Sequence, residues 1–116
     1  MEKVYFFDKK VIYLVWNVED GQVKGVGTVR FLVVDQICRI EITITNCGTV
    51  TGTYPIYLLS GDMRSIFGEI TLSSGRGEFY LKCDTDMLGD QKFRYKNITG
   101  ILIDLKTEGK IIKQVT

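Results

Sequence analysis

The chain has 116 residues, 45% hydrophobic and 25% charged, which is the balance of one ordinary globular domain and excludes disorder. Fifteen Lys and Arg against fourteen Asp and Glu leave a formal charge of +1, which argues against a nucleic-acid partner while leaving room for a local basic patch. No apolar run approaches the roughly 18 residues of a membrane span, and Met1-Glu2-Lys3-Val4-Tyr5 lacks the long apolar core of a signal peptide.

Short apolar runs separated by turn residues predict about nine strands. The first is Val4–Phe7 and the second Val11–Val18. An Asp-Gly pair in Glu19-Asp20-Gly21-Gln22 favours a hairpin between the second strand and the third, Gly25–Val34. A tight Asp35-Gln36 turn leads to Cys38–Thr45. There Cys38, Ile40, Ile42 and Ile44 alternate with Arg39, Glu41, Thr43 and Thr45. Such alternation is the period of a strand with one buried face. A Gly/Thr-rich loop follows, and then a strand over Tyr54–Leu59. Its Pro55 demotes it toward a sheet edge, because proline has no N–H for a ladder. Ser60-Gly61-Asp62 turns into Ser65–Leu72.

Ser73-Ser74-Gly75-Arg76-Gly77 has the residue types of a phosphate-binding loop. Phosphate loops, however, join a strand to a helix, whose N-terminal amides face the anion. Here Ile70 and Leu72 alternate before the segment, and Phe79, Leu81 and Cys83 after it. The context predicts a β-hairpin, followed by the strand Glu78–Cys83. Thr85–Leu88 is the best helical turn, with Asp84 placed to cap it and Gly89 to end it. Ile98–Leu105 and Ile111–Val115 complete the strands, with a turn at Glu108-Gly109.

The expected fold is therefore all-β, a single domain over 1–116. It is a two-layer antiparallel β-sandwich with a jelly roll as the candidate topology, and it has at most one short helical turn. Alternation alone does not separate a sandwich from a barrel, since closure depends on strand pairing.

Residues that carry chemistry are sparse. There is no histidine, which removes the commonest general base and a common metal ligand. The three cysteines form no CxxC pair, so no zinc site is expected. Cys38 and Cys83 fall on apolar faces and read as core residues; Cys47, in a loop, reads as the exposed thiol. Asp84, Asp86 and Asp90 are a weak calcium candidate, because Leu88 stands where an oxygen ligand is needed. Neither an enzyme nor a cofactor is expected, and the compartment expected from these features is the cytoplasm.

Both faces of "VIYLVWNV" are apolar, and "ITGILIDL" is similar. A second apolar face needs a cover, from this chain, another domain or another copy. Tyr13, Val15, Trp16, Ile101 and Ile103, together with the edge at Pro55, are the candidate interface of a non-enzymatic interaction or self-assembly module. Its partner would be itself or another protein domain, with neither nucleic acid nor membrane. The alternative is a carbohydrate- or other ligand-binding sandwich in which Trp16, Tyr54, Tyr57 and Tyr80 stack against the ligand.

Three stretches, "YLVWNVEDGQVKGVGTVRF", "IYLLSGDMRSIFGEITLSSGRGEF" and "DTDMLGDQKFRYKNITGILI", together resemble the N-terminal β domain of a group of uncharacterised clostridial proteins. The resemblance spans about Ile12–Ile103 and is carried by turns and strand patterns. It implies a cytosolic bacterial protein whose relatives have a second domain after this one, and it brings no activity and no catalytic residue.

Overall fold

A computed structural model describes residues 7–17 and 23–114. They form eight strands: β1 Phe7–Asn17, β2 Val23–Val34, β3 Ile37–Ile44, β4 Gly52–Ser60, β5 Met63–Leu72, β6 Gly77–Asp84, β7 Gly100–Asp104 and β8 Lys110–Gln114. Seven of the nine expected strands coincide with β2 to β8 to within a few residues. Val4–Phe7 lies outside the described residues except for Phe7, which begins β1, as do Val18 and the expected Glu19–Gln22 turn.

The strands make one sheet in the order β5-β4-β7-β8-β1-β2-β3-β6, in which every paired neighbour is antiparallel. This corrects the two-layer sandwich. The two ends of the sheet, β5 and β6, are joined by their own hairpin, so the sheet curls into a nearly closed barrel. Alternation marks which face of a strand is buried, and a barrel and a sandwich share that signature. The difference lies in two long crossovers, 45–51 and 85–99. They set β6 beside β3 and β7 beside β4, a Greek-key arrangement of strands.

The inner faces meet in a continuous core. Cys38, Ile40, Ile42 and Ile44 of β3 are all fully buried, as the alternation predicts. Ile56 and Leu58 of β4 stand opposite Ile103 and Ile101 of β7. Two bulges bend the sheet. Val26 is extra in β2 opposite Leu14 and Val15, and Phe67 is extra in β5 opposite Ile56 and Tyr57. Pro55 is in β4, which has neighbours on both sides. β7 pairs only with Ile56–Leu59, so the ladder on that side stops one residue before the proline. The inference of an edge is thus right locally and wrong for the strand.

The β5–β6 seam carries no ladder beyond the hairpin, and side chains close it. The rings of Phe67 and Phe79 meet edge to face, with centroids 5.6 Å apart and planes at 79°. Gly68 makes room for this: a Cβ there would sit 2.6 Å from the Phe79 ring. Further along, the 85–99 crossover fills the gap. Asp90 N–H donates to Ile66 O (2.9 Å), and Asp90 Oδ1 accepts Ile66 N–H (3.0 Å). One aspartate thereby stands in for a strand partner on the β5 edge.

The expected helical turn at Thr85–Leu88 is a correction of a different kind. Asp84 does accept a local bond, from Asp86 N–H at 2.8 Å, but no helix follows. Leu88 is pulled inward and bridges to Phe93 around Gly89, whose φ is +77°. Single 3-10 turns occur instead at Tyr95–Asn97 and Lys106–Glu108.

Ser65 ties this plug to β5. It is the only buried polar residue among those described. Its Oγ lies 3.0 Å from Leu88 O and accepts Gln91 N–H at 2.9 Å. Ser65→Ala should remove one of two donors to Leu88 O, which keeps Phe93 N–H, and the acceptor of Gln91 N–H. A loss of about 0.5–1.5 kcal/mol in urea unfolding is expected. An unchanged midpoint would show that the plug does not depend on this hydroxyl.

Candidate functional site

The glycine-serine segment is a hairpin. Ser73 and Arg76 exchange both backbone bonds, and Ser74 and Gly75 take positive φ (50° and 79°), as a two-residue type I′ turn requires. Its amides are already engaged. Gly75 N–H donates to Val50 O (2.8 Å) and Ser74 N–H to Thr51 Oγ1 (3.0 Å), while Gly75 O accepts Cys47 N–H (3.0 Å). The tip is docked on the β3–β4 crossover, so these donors are not arranged for a phosphate.

That docking buries Cys47 completely, which corrects the expectation of an exposed thiol. Of the three cysteines, Cys83 is the accessible one: Cys38 is fully buried and Cys83 half-buried. They stand directly opposite each other on the inner faces of β3 and β6, and the Cys83 thiol lies 3.7 Å from Cys38 O. The contact with Cys83, together with burial, pushes the Cys38 thiol far up. The same contact draws Cys83 below the usual thiol value, against its own partial burial. Iodoacetamide on the native protein should alkylate Cys83 first, with Cys38 and Cys47 following only on unfolding, as read by peptide mass spectrometry. Equal labelling of all three would contradict this assignment.

Asp84, Asp86 and Asp90 do not converge. Asp84 caps its own turn and Asp90 is held by Ser65, Ile66 and Gln91. Among the described residues no group of three His, Cys, Asp or Glu side chains could hold a metal ion.

The candidate interface residues are divided by the sheet. By register, Tyr13 and Val15 point outward, with Tyr13 72% exposed and Val15 half-buried. Trp16 faces inward and packs against the core near Gly48, and Ile101 and Ile103 are core residues. These three are corrections to the expected interface. On β7 it is Leu102 that faces outward, opposite Tyr57, and the chain buries it by itself. Pro55 is half-buried on the outer side of β4.

The stacking candidates are likewise scattered. Trp16 and Tyr54 belong to the inner face, and the Tyr54 hydroxyl donates to Thr51 O at 3.1 Å. Tyr57 is outside, under the Arg64 guanidinium at 5.3 Å. Tyr80 is outside on β6 and 58% exposed. No common platform unites them.

At the plugged end, Asp8 and Lys10 face inward and half-buried, where charge needs a partner. Tyr95 supplies it: its hydroxyl donates to Asp8 Oδ2 at 2.7 Å, and Lys10 Nζ sits 5.6 Å above its ring. Burial, and then the Asp8 contact, push the Tyr95 phenol well above its ordinary value, so it stays protonated as a donor. A small depression beside it, about 230 Å³, mixes Asp35 and Asp86 with Lys96.

The feature that sequence reasoning missed is a shallow cleft of about 390 Å³ on the outer face of β1, β2, β3 and β6. Phe7, Lys9, Arg30, Leu32, Arg39, Glu41 and Tyr80 line it. Alternation places Arg39 and Glu41 on one outer face of β3. That they share a cleft with Phe7 and Tyr80 follows only from the strand order.

Comparison with family models, curated proteins and solved structures finds no match to this chain. Among the described residues, no helix is long and apolar enough to cross a membrane.

Proposed function

We propose that this domain is a non-enzymatic interaction module that docks a second copy of itself through the outer face of β1. One observation carries the reading. Of the eight large hydrophobic residues exposed among those described, three (Phe7, Val11 and Tyr13) are outward positions of this one strand; Val11 and Tyr13 are successive, and Lys9 stands between Phe7 and Val11. Tyr13 is 72% and Val11 43% exposed, with Val15 continuing the stripe. Leu102 supplies the contrast, because there the chain covers an outward apolar side chain unaided. Tyrosine and branched aliphatic side chains on a rigid strand contribute contact area at little entropic cost.

A neighbouring domain in a longer chain is the other occupant of the same stripe, as the clostridial resemblance implies. A cytoplasmic setting and the absence of a cofactor belong to the same proposal.

Light scattering behind a sizing column, over about a hundredfold concentration range, is the test. A dimer is expected, and Tyr13→Lys should weaken it at least about tenfold, since a buried unpaired charge disfavours association by more than 1.4 kcal/mol. At concentrations where both chains are monomeric the melting temperature should be the same, because Tyr13 lies outside the core, and where the native chain is dimeric the variant should melt lower. A monomer at every concentration, unaffected by Tyr13→Lys, would sink self-assembly.

A further inference from the structure

The cleft at the other end of this face has a charge pattern that the fold does not explain. Register aligns Lys9, Leu32, Arg39 and Lys82 in one row across β1, β2, β3 and β6. Arg39 and Lys82 are directly opposite each other, and like charges at such positions oppose strand pairing. The only carboxylate lining the cleft, Glu41, stands opposite Arg30 in the adjacent row. Among the described residues, no ion pair or side-chain hydrogen bond engages Lys9, Arg39 or Lys82. The concentration is confined to this row: Glu78 and Asp84 also face outward on β6, one outward position beyond Tyr80 and Lys82.

Two exposed rings flank the row. Phe7, 64% exposed, lies one outward position before Lys9 on β1, and Tyr80, 58% exposed, lies one outward position before Lys82 on β6. Strand spacing and residue rise put these rings at opposite corners of the patch, roughly 20 Å apart. Cations between flat apolar rings suit a polymer that alternates phosphates with bases. A cation track supplies the backbone contacts and the rings supply stacking. A neutral glycan has no use for the cation row, and a second copy laid on the row itself, as opposed to on Val11, Tyr13 and Val15, would set like charges against each other.

We propose that the outer face of β1, β2, β3 and β6 binds single-stranded nucleic acid, with phosphates along Lys9, Arg39 and Lys82 and bases stacked on Phe7 and Tyr80. This goes beyond the assembly reading; the two share Phe7, and the other side chains differ. The patch is shallow and open, so binding is sequence-tolerant and salt-sensitive, and it makes no demand on the barrel interior.

The test is fluorescence anisotropy with labelled oligothymidylate and oligouridylate of about 15 nucleotides, within the range of single-strand site sizes. Salt is varied from about 50 to about 200 mM. Three phosphate contacts predict a log–log salt slope of about −2. Arg39→Glu with Lys82→Glu should lower affinity at least about tenfold. Tyr80→Ala should lower it about tenfold with the slope unchanged, because stacking is not ionic. Tyr13→Ser, outside the cleft, should bind as the native chain does, which separates this site from the assembly stripe. Circular dichroism melts check that each variant folds. If the double reversal unfolds, Lys82→Gln takes its place, with a slope reduced by about 0.7. No binding at low salt overturns the proposal. So does equal competition by heparin or polyglutamate together with indifference to Tyr80→Ala, which would mark a patch for any polyanion or for an acidic protein surface.

Discussion

A sheet whose two end strands must meet is the constraint on which this molecule depends. β5 and β6 are brought together by a two-residue hairpin, yet no ladder runs between them. An open edge of this kind exposes backbone donors and acceptors. The chain closes it by three different means: paired phenylalanine rings, a glycine that admits one of them, and an aspartate from a distant loop that accepts and donates as a strand residue would. The remaining features follow from that closure. The hairpin tip docks on the 45–51 crossover and buries Cys47. The 85–99 crossover inserts Leu88, Phe93 and Tyr95 beneath the core.

The strands were legible because each has one buried face, and a period of two survives any arrangement of neighbours. β3 shows this most clearly, with its four inward residues all fully buried. Pairing was not legible, because Cys38 facing Cys83 and Ile56 facing Ile103 leave no trace in either segment alone. The placement of Trp16 fails for a different reason. On β1 both outward and inward positions are apolar, so parity carries no label for which is which. Trp16 shares its parity with Leu14, which is fully buried, and Tyr13 shares the other. Ile101 and Ile103 of β7 are ambiguous in the same way.

Charge shows the limit of totals. Fifteen cations and fourteen anions sum to almost nothing, but a sum has no geometry. The strand order collects Lys9, Arg39 and Lys82 in one row while Asp8 and Lys10, close neighbours in sequence, turn inward to Tyr95. Alternation along β1 thus sends adjacent lysines to opposite fates, one to solvent and one to a ring.

Asp90, which completes the β5 edge, follows Ile66 by 24 residues, and β7 and β8 come later still. During synthesis, β5 emerges from the ribosome before any of these. Val15 of β1 finds its β8 partner, Ile112, only when the chain is almost finished. Closure is therefore a long-range event late in the chain, of the kind that slows folding. Until it happens the nascent protein carries an uncovered strand, and a fragment ending before Asp90 would keep that strand open permanently.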